Sequence, residues 1–179
     1  MGMNILAALW GFAEATLFFI VPDVLLSWLG LRDRRRAWVA SGYALIGALL
    51  GGVLMYRWGV QDLAGARALL LGLPGIDAGL LDLARRQLQQ SGALALFQGG
   101  FGGVPYKTYA IHAAAEGMGL GIFLAASMFA RWLRFALVML ATRWLVRALL
   151  PQQTLLKQQL FLLVGWLAFY AVYFGWLTR

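Results

Sequence analysis

The chain has 179 residues, of which 62% are hydrophobic and only 12% charged, with a mean hydropathy of +0.75. Composition of this kind excludes an ordinary soluble domain and implies an all-α integral membrane protein built as a single membrane domain, residues 1–179. The formal net charge of +8 would suit nucleic acid, but the arginines sit mainly beside apolar spans, so anionic lipid is the expected partner and nucleic acid is not.

The N-terminal MGMNILAALW lacks a basic region and a small-residue cleavage site, so no secretory signal is expected. Residues 10–31 then read WGFAEATLFFIVPDVLLSWLGL, an apolar stretch holding Glu14, Pro22 and Asp23. Proline breaks helices and charge is costly in lipid. The expectation is a re-entrant helical hairpin over 5–31 with its turn at Val21–Pro22. A transmembrane helix follows over 37–56, with a small-residue face that includes Gly47-xxx-Gly51.

Residues 60–92 are the least apolar region. Ile76, Leu80, Leu83, Ala84 and Leu88 fall on one helical face, which predicts an amphipathic surface helix with Asp82 and Arg86 as an i,i+4 pair. Residues 93–118 repeat the broken pattern, with Gly102, Gly103 and Pro105 at a turn and Lys107, His112 and Glu116 beyond it. A second re-entrant hairpin is expected there. Transmembrane helices over 119–148 and 158–178 complete the chain. The last carries Trp166, Tyr170, Tyr173 and Trp176, read as an interface belt or packing aromatics. Two broken segments at corresponding positions of two halves suggest an inverted repeat with a transport site where they meet.

Five charged residues are the candidate substrate- or ion-binding groups. Glu14 and Asp23 lie on opposite arms of the first hairpin, where a buried carboxyl would serve as a proton carrier or, for Asp23, as a helix cap. Lys107 is placed to pair with one of these acids, to hold an anion, or to snorkel outward. Arg131 and Arg134, three apart on one helix face of a span, offer guanidinium forks suited to phosphate, or else lie near an interface in a helix that starts earlier or tilts more. His112 and Glu116 read as a packing pair. There is no cysteine, and a single histidine does not make a His-rich metal site, so no metal or other cofactor is expected. GGFGGVPYKT fails as a phosphate loop because Tyr106, not glycine, precedes the lysine. No nucleophile–base set is visible, so no enzyme activity is expected.

FAEATLFFIVPDVLL at 12–26, GALLGGVLMYRWG at 47–59 and FGGVPYKTYAIHAAAEGMGLGIFLAASMFARWLRF at 101–135 together resemble the DedA family, also called SNARE-associated Golgi or VTT-domain membrane proteins. The chain is most similar to the short YqaA-like branch. The resemblance implies two facing re-entrant hairpins and lipid flipping or scrambling, in bacteria the proton-coupled recycling of a polyprenyl phosphate. By position it assigns the acids to Glu14 and Asp23 and the bases to Lys107, Arg131 and Arg134. The family often has arginine beside the second proline turn, where this chain has only Lys107. A bacterial inner-membrane location follows, and a homo-oligomer is open. With both hairpins re-entrant, one side carries Arg32, Arg34, Arg35, Arg36, Arg143, Arg147 and Lys157, and the other Arg57, Arg67, Arg85, Arg86 and Arg179. The richer side, and the N-terminus, are expected in the cytoplasm. The alternative function is a non-transporting protein that organises partner membrane proteins.

Overall fold

A computed structural model describes residues 2–177, with side chains through residue 175. The described residues form nine α-helices and one 3-10 turn, with no strand. Three helices are long and apolar enough to cross a membrane: α3 (Arg34–Gln61), α8 (Leu120–Leu149) and α9 (Leu155–Leu177). α3 has 28 residues, a length of about 42 Å. It outruns the expected 37–56 at both ends because Asp33 caps it, accepting from the Arg36 N–H, and it stops only at Asp62.

Each half begins with two short helices separated by a break. In the first, α1 (Gly2–Thr16) and α2 (Asp23–Arg32) flank residues 17–22. The break is wider than the expected Val21–Pro22 turn. Pro22 has no N–H to give the Phe18 carbonyl, so the helix loses a bond one turn upstream. Thr16 also turns its hydroxyl back onto the Phe12 and Ala13 carbonyls, and the N–H groups of Leu17 and Phe18 both end on Ala13. In the second half, a 3-10 turn at Gly92–Leu94 leads into α6 (Ala95–Gly102). Gly103, at φ +79°, closes α6 in the left-handed region that favours glycine. Val104 and Pro105 are followed by α7 (Tyr106–Ala113). Both breaks carry the string Phe-x-x-Val-Pro, at 18–22 and 101–105.

Glycines set how these helices lie on α3. A Cβ on Gly11 would strike the Ala44 carbonyl, one on Gly47 the Ala8 carbonyl, and one on Gly51 the Ala15 side chain. Gly11 thus lies beside Gly47 and Ala15 beside Gly51, so α1 and α3 run parallel at close approach. α7 also runs parallel to α3, with Tyr106 against Gly52 and the Ile111 carbonyl against Gly59. α8 returns antiparallel: Phe123 packs at a tilt on Tyr56 near one end of α3, while Phe135 and Met139 pack with Ala40, Ala44 and Leu26 near the other.

The region expected to hold one amphipathic helix holds two, α4 (Leu63–Leu71) and α5 (Ala78–Ser91), because Asp62 and Asp77 each cap a helix start. α5 buries Leu81, Ala84 and Leu88, with Leu80 and Leu83 half-buried at the sides of that face. Asp82 pairs with Arg67 of α4 at 3.0 Å, not with Arg86, since α4 brings a cation across the turn. α9 rests on the bundle through Leu162 and Trp166, packed with Leu31 and Val146, and leaves Val164, Leu167 and Val172 exposed. Arg179 and the side chain of Trp176 lie outside the described residues.

Candidate functional site

The two breaks touch. Lys107, at the start of α7 and only 2% exposed, donates from Nζ to the Phe18 carbonyl at 2.6 Å. It does not bond either acid. Two further groups serve the unwound backbone of 17–22: Trp10 donates from Nε1 to the Ile20 carbonyl at 2.8 Å, and the Val21 N–H donates to the Tyr170 hydroxyl at 2.9 Å. Non-helical backbone held in this way meets the requirement that buried peptide groups find partners.

Two arginine–carboxylate pairs flank this junction. Arg131 donates from Nη2 to Glu14, and Arg134 from Nη2 to Asp23. The arginines are three residues apart, about 4.5 Å along α8, which puts the two acids at similar depth. The pairs have different surroundings. The side chains of Glu14 and Arg131 are each 6% exposed, and the Arg131 guanidinium sits 4.6 Å from the Tyr106 ring centroid and 5.4 Å from that of Phe135. Tyr106 is itself fixed by donating to Ser127 Oγ at 3.0 Å. The Asp23 side chain is 1% exposed, but that of Arg134 is 20% exposed. Asp23 Oδ1 and Arg131 Nε are buried without a hydrogen-bond partner among the described residues.

Beside the junction is a cavity of about 560 Å³, walled by both breaks, α8 and α9. Glu14, Asp23, Lys107 and Arg134 line it amid aromatic and aliphatic side chains such as Phe18 and Phe161. Arg131 does not line it. On the cavity wall Lys107 and Arg134 balance Glu14 and Asp23, and Arg131 behind it brings the junction to three cations against two carboxylates. Such a place, with a fork of free N–H donors beside an apolar hollow, accommodates an anionic group attached to hydrocarbon. No group of three or more His, Cys, Asp or Glu gathers as a metal ligand set among the described residues.

His112 and Glu116 bond elsewhere instead of to each other, because α4 and α5 bring partners over α7. Arg67 Nη1 approaches His112 Nε2 at 2.7 Å, and an arginine only donates, so Nε2 accepts. The ring proton is therefore on Nδ1, which donates to the Thr108 carbonyl at 2.7 Å. Glu116, in the loop between α7 and α8, accepts from Arg85 at 2.6 Å and Gln89 at 2.9 Å. These bonds, first that from Arg85, hold its carboxyl below the ordinary value.

Sequence reasoning brought Glu14, Asp23, Lys107, Arg131 and Arg134 forward, and the structure gathers all five around one junction. It passed over Tyr106 and Tyr170. Tyr106 directly follows the second break's proline, and that position was the available signal. Tyr170 sits among the aromatics of an ordinary-looking apolar span and carries none.

A protein from Haemophilus influenzae, described only as uncharacterized, is 28% identical over 133 residues, covering 74% of this chain and 68% of that protein. No family model matches the chain, and no solved structure does. Fold and composition together define a helical membrane protein.

Proposed function

We propose that this protein is a lipid transporter, flippase- or scramblase-like, that moves a phosphate-bearing amphiphile across the bilayer. The observation that carries the reading is the junction: two helix breaks in contact, four ionisable groups on one cavity wall, and hydrocarbon-like lining around them. Charges at the centre of a span cost about 2.5–3.5 kcal/mol each, and a structural helix would use leucine in their place. In this reading α1–α2 and α6–α7 are re-entrant hairpins and the halves form an inverted repeat. The parallel run of α1 on the first part of α3 supports this for the first hairpin. α1 enters where α3 enters, and α2 must return to Asp33 at that same end. The N-terminus and the Arg32–Arg36 loop are cytoplasmic, in a bacterial inner membrane. A proton on an acid accompanies the substrate. The likeness to the DedA family points the same way.

The competing reading, an organiser of partner proteins, draws on the Glu14–Arg131 pair, which is buried and paired within the protein. Reconstitution separates the two. Purified protein in phosphatidylcholine vesicles doped with headgroup-labelled phosphatidylglycerol or polyprenyl phosphate should render inner-leaflet label accessible to an impermeant quencher. The rate should respond to a pH gradient, and Glu14→Gln and Asp23→Asn should stay folded in detergent yet lose the activity. If the wild type moves none of these lipids, or both variants move them at its rate, the organiser reading takes over.

A further inference from the structure

We infer that the two arginine–carboxylate pairs have separate tasks: Arg134 is the group that receives the anion, with Asp23 as the carboxylate it displaces, whereas Arg131 and Glu14 are a positioning pair. The inference rests on the transport reading above and goes past it, because a common fork of Arg131 and Arg134 is what their spacing alone suggests.

Access decides the matter first. Arg134 and Asp23 both line the cavity, and the Arg134 side chain is 20% exposed. Arg131 is absent from that wall and 6% exposed. An anion entering the cavity meets the Arg134 guanidinium and would have to pass Tyr106 to reach the other. Occupancy decides it next. Arg134 spends one N–H on Asp23 Oδ2, which leaves the rest of its five-donor fork for a ligand oxygen. Arg131 lies against the Tyr106 ring and close to the Phe135 ring, bonded to Glu14, and Tyr106 is anchored in turn on Ser127. Rotating Arg131 toward a substrate would undo the aromatic contacts and strand Glu14, which is 5% exposed. The buried pair therefore ties α1, α7 and α8 together at the junction.

Asp23 suits displacement. Its Oδ1 has no donor, and only Arg134 holds Oδ2 among the described residues. When a phosphate oxygen takes that bond, the freed carboxylate is left with two unsatisfied buried oxygens, and a proton on Asp23 relieves the loss. Glu14 likewise holds its arginine through one oxygen, Oε2, but that arginine is pinned against the Tyr106 ring and does not border the cavity.

The test uses the full chain in maltoside detergent and dodecyl phosphate as the probe, read by quenching of tryptophan fluorescence, since Trp166 borders the cavity. Arg134→Lys should weaken binding about tenfold or more, the worth of one charge-assisted hydrogen bond, with the thermal midpoint near that of the wild type. Arg131→Lys should lower the thermal midpoint and the maximal flipping rate while the affinity for dodecyl phosphate stays within about twofold. Should Arg134→Lys not fold, the neutral double variant Asp23→Asn/Arg134→Gln keeps the shape and a hydrogen bond, and should fold without binding. Equal loss of affinity in Arg131→Lys and Arg134→Lys, unchanged affinity in the Arg134 variants, or no binding of dodecyl phosphate by the wild type would each overturn the assignment. Binding with the expected asymmetry, in a protein that flips no lipid, would leave the assignment standing and remove the transport reading.

Discussion

Replacing one hydrogen of α3 by a methyl group should have opposite effects at two glycines five residues apart. Glycine costs a helix about 1 kcal/mol relative to alanine, so Gly→Ala starts with a gain of that size at either place. At Gly42 nothing lies within 4 Å of the new Cβ, and the gain stands. At Gly47 the methyl would meet the Ala8 carbonyl, and backbone does not swing aside as a side chain does. The new Cβ would lie far inside the 3.4 Å at which ordinary Cβ contacts begin, so methyl and carbonyl must part by roughly 1.5 Å. Overpacking of this kind costs about 1–3 kcal/mol, and with a rigid obstacle the upper end applies. The net expectation is a loss of about 2 kcal/mol for Gly47→Ala and a gain of about 1 for Gly42→Ala. For a chain of this length that separates the two thermal midpoints by about 6–12 °C. A fluorescence melt in detergent measures it. On the transport proposal, Gly47→Ala should also reduce flipping, because α1 carries Glu14. Coincident melting of the two variants would refute the parallel glycine contact.

Three further outcomes follow from the geometry. The chain has no cysteine, so Arg35→Cys and Arg86→Cys, both at exposed positions, give single labels; an impermeant maleimide should reach them from opposite sides, and labelling from one side would end the hairpin topology. His112 is the sole histidine, so its ¹⁵N imidazole shifts can be read alone; at neutral pH they should show the neutral ring protonated on Nδ1, and an Nε2–H ring or an imidazolium would contradict the Arg67 contact. Glu116 has a folded-state pKa below its ordinary 4.5, so the stability it gives is present above that value and is lost as pH falls through the lower folded one. A spin label at Gln90 should gain mobility on acidification to well below the ordinary value of 4.5, and Glu116→Gln should be mobile already at neutral pH; a label indifferent to both would show that Arg85 and Gln89 do not hold α5.

The parts of the fold that depend on local chemistry were legible in the chain. Pro22 and Pro105 announced the breaks, and the spans around Ala44 and Val138 announced α3 and α8, because proline lacks a donor and hydrocarbon demands apolar length. What escaped was set by contacts between distant segments. Asp82 looks like a partner for Arg86 until α4 places Arg67 beside it. Lys107 looks like a partner for an acid until the Phe18 carbonyl is there to take its proton donor. The apolar face around α5 held at Ile76, Ala84 and Leu88, but Leu81 at its centre was missed, because Leu80 and Leu81 both satisfy a helical period and the packing of α7 chooses between them. Likewise, the equal spacing of Arg131 and Arg134 gave no hint that one is stacked on Tyr106 and the other faces a cavity.

The bond from Lys107 to the Phe18 carbonyl makes the two halves of the protein compete for a single atom. In an unbroken helix that oxygen would be claimed by residue 22, and proline there cannot claim it. The second half thus holds a position that the first half's own sequence has vacated. Any motion that draws α7 away leaves the Phe18 oxygen without a donor and loosens residues 17–22 at the same instant. One half cannot shift its loop quietly: the release is felt on both sides of the junction, and a movement begun at either break becomes a movement of the pair.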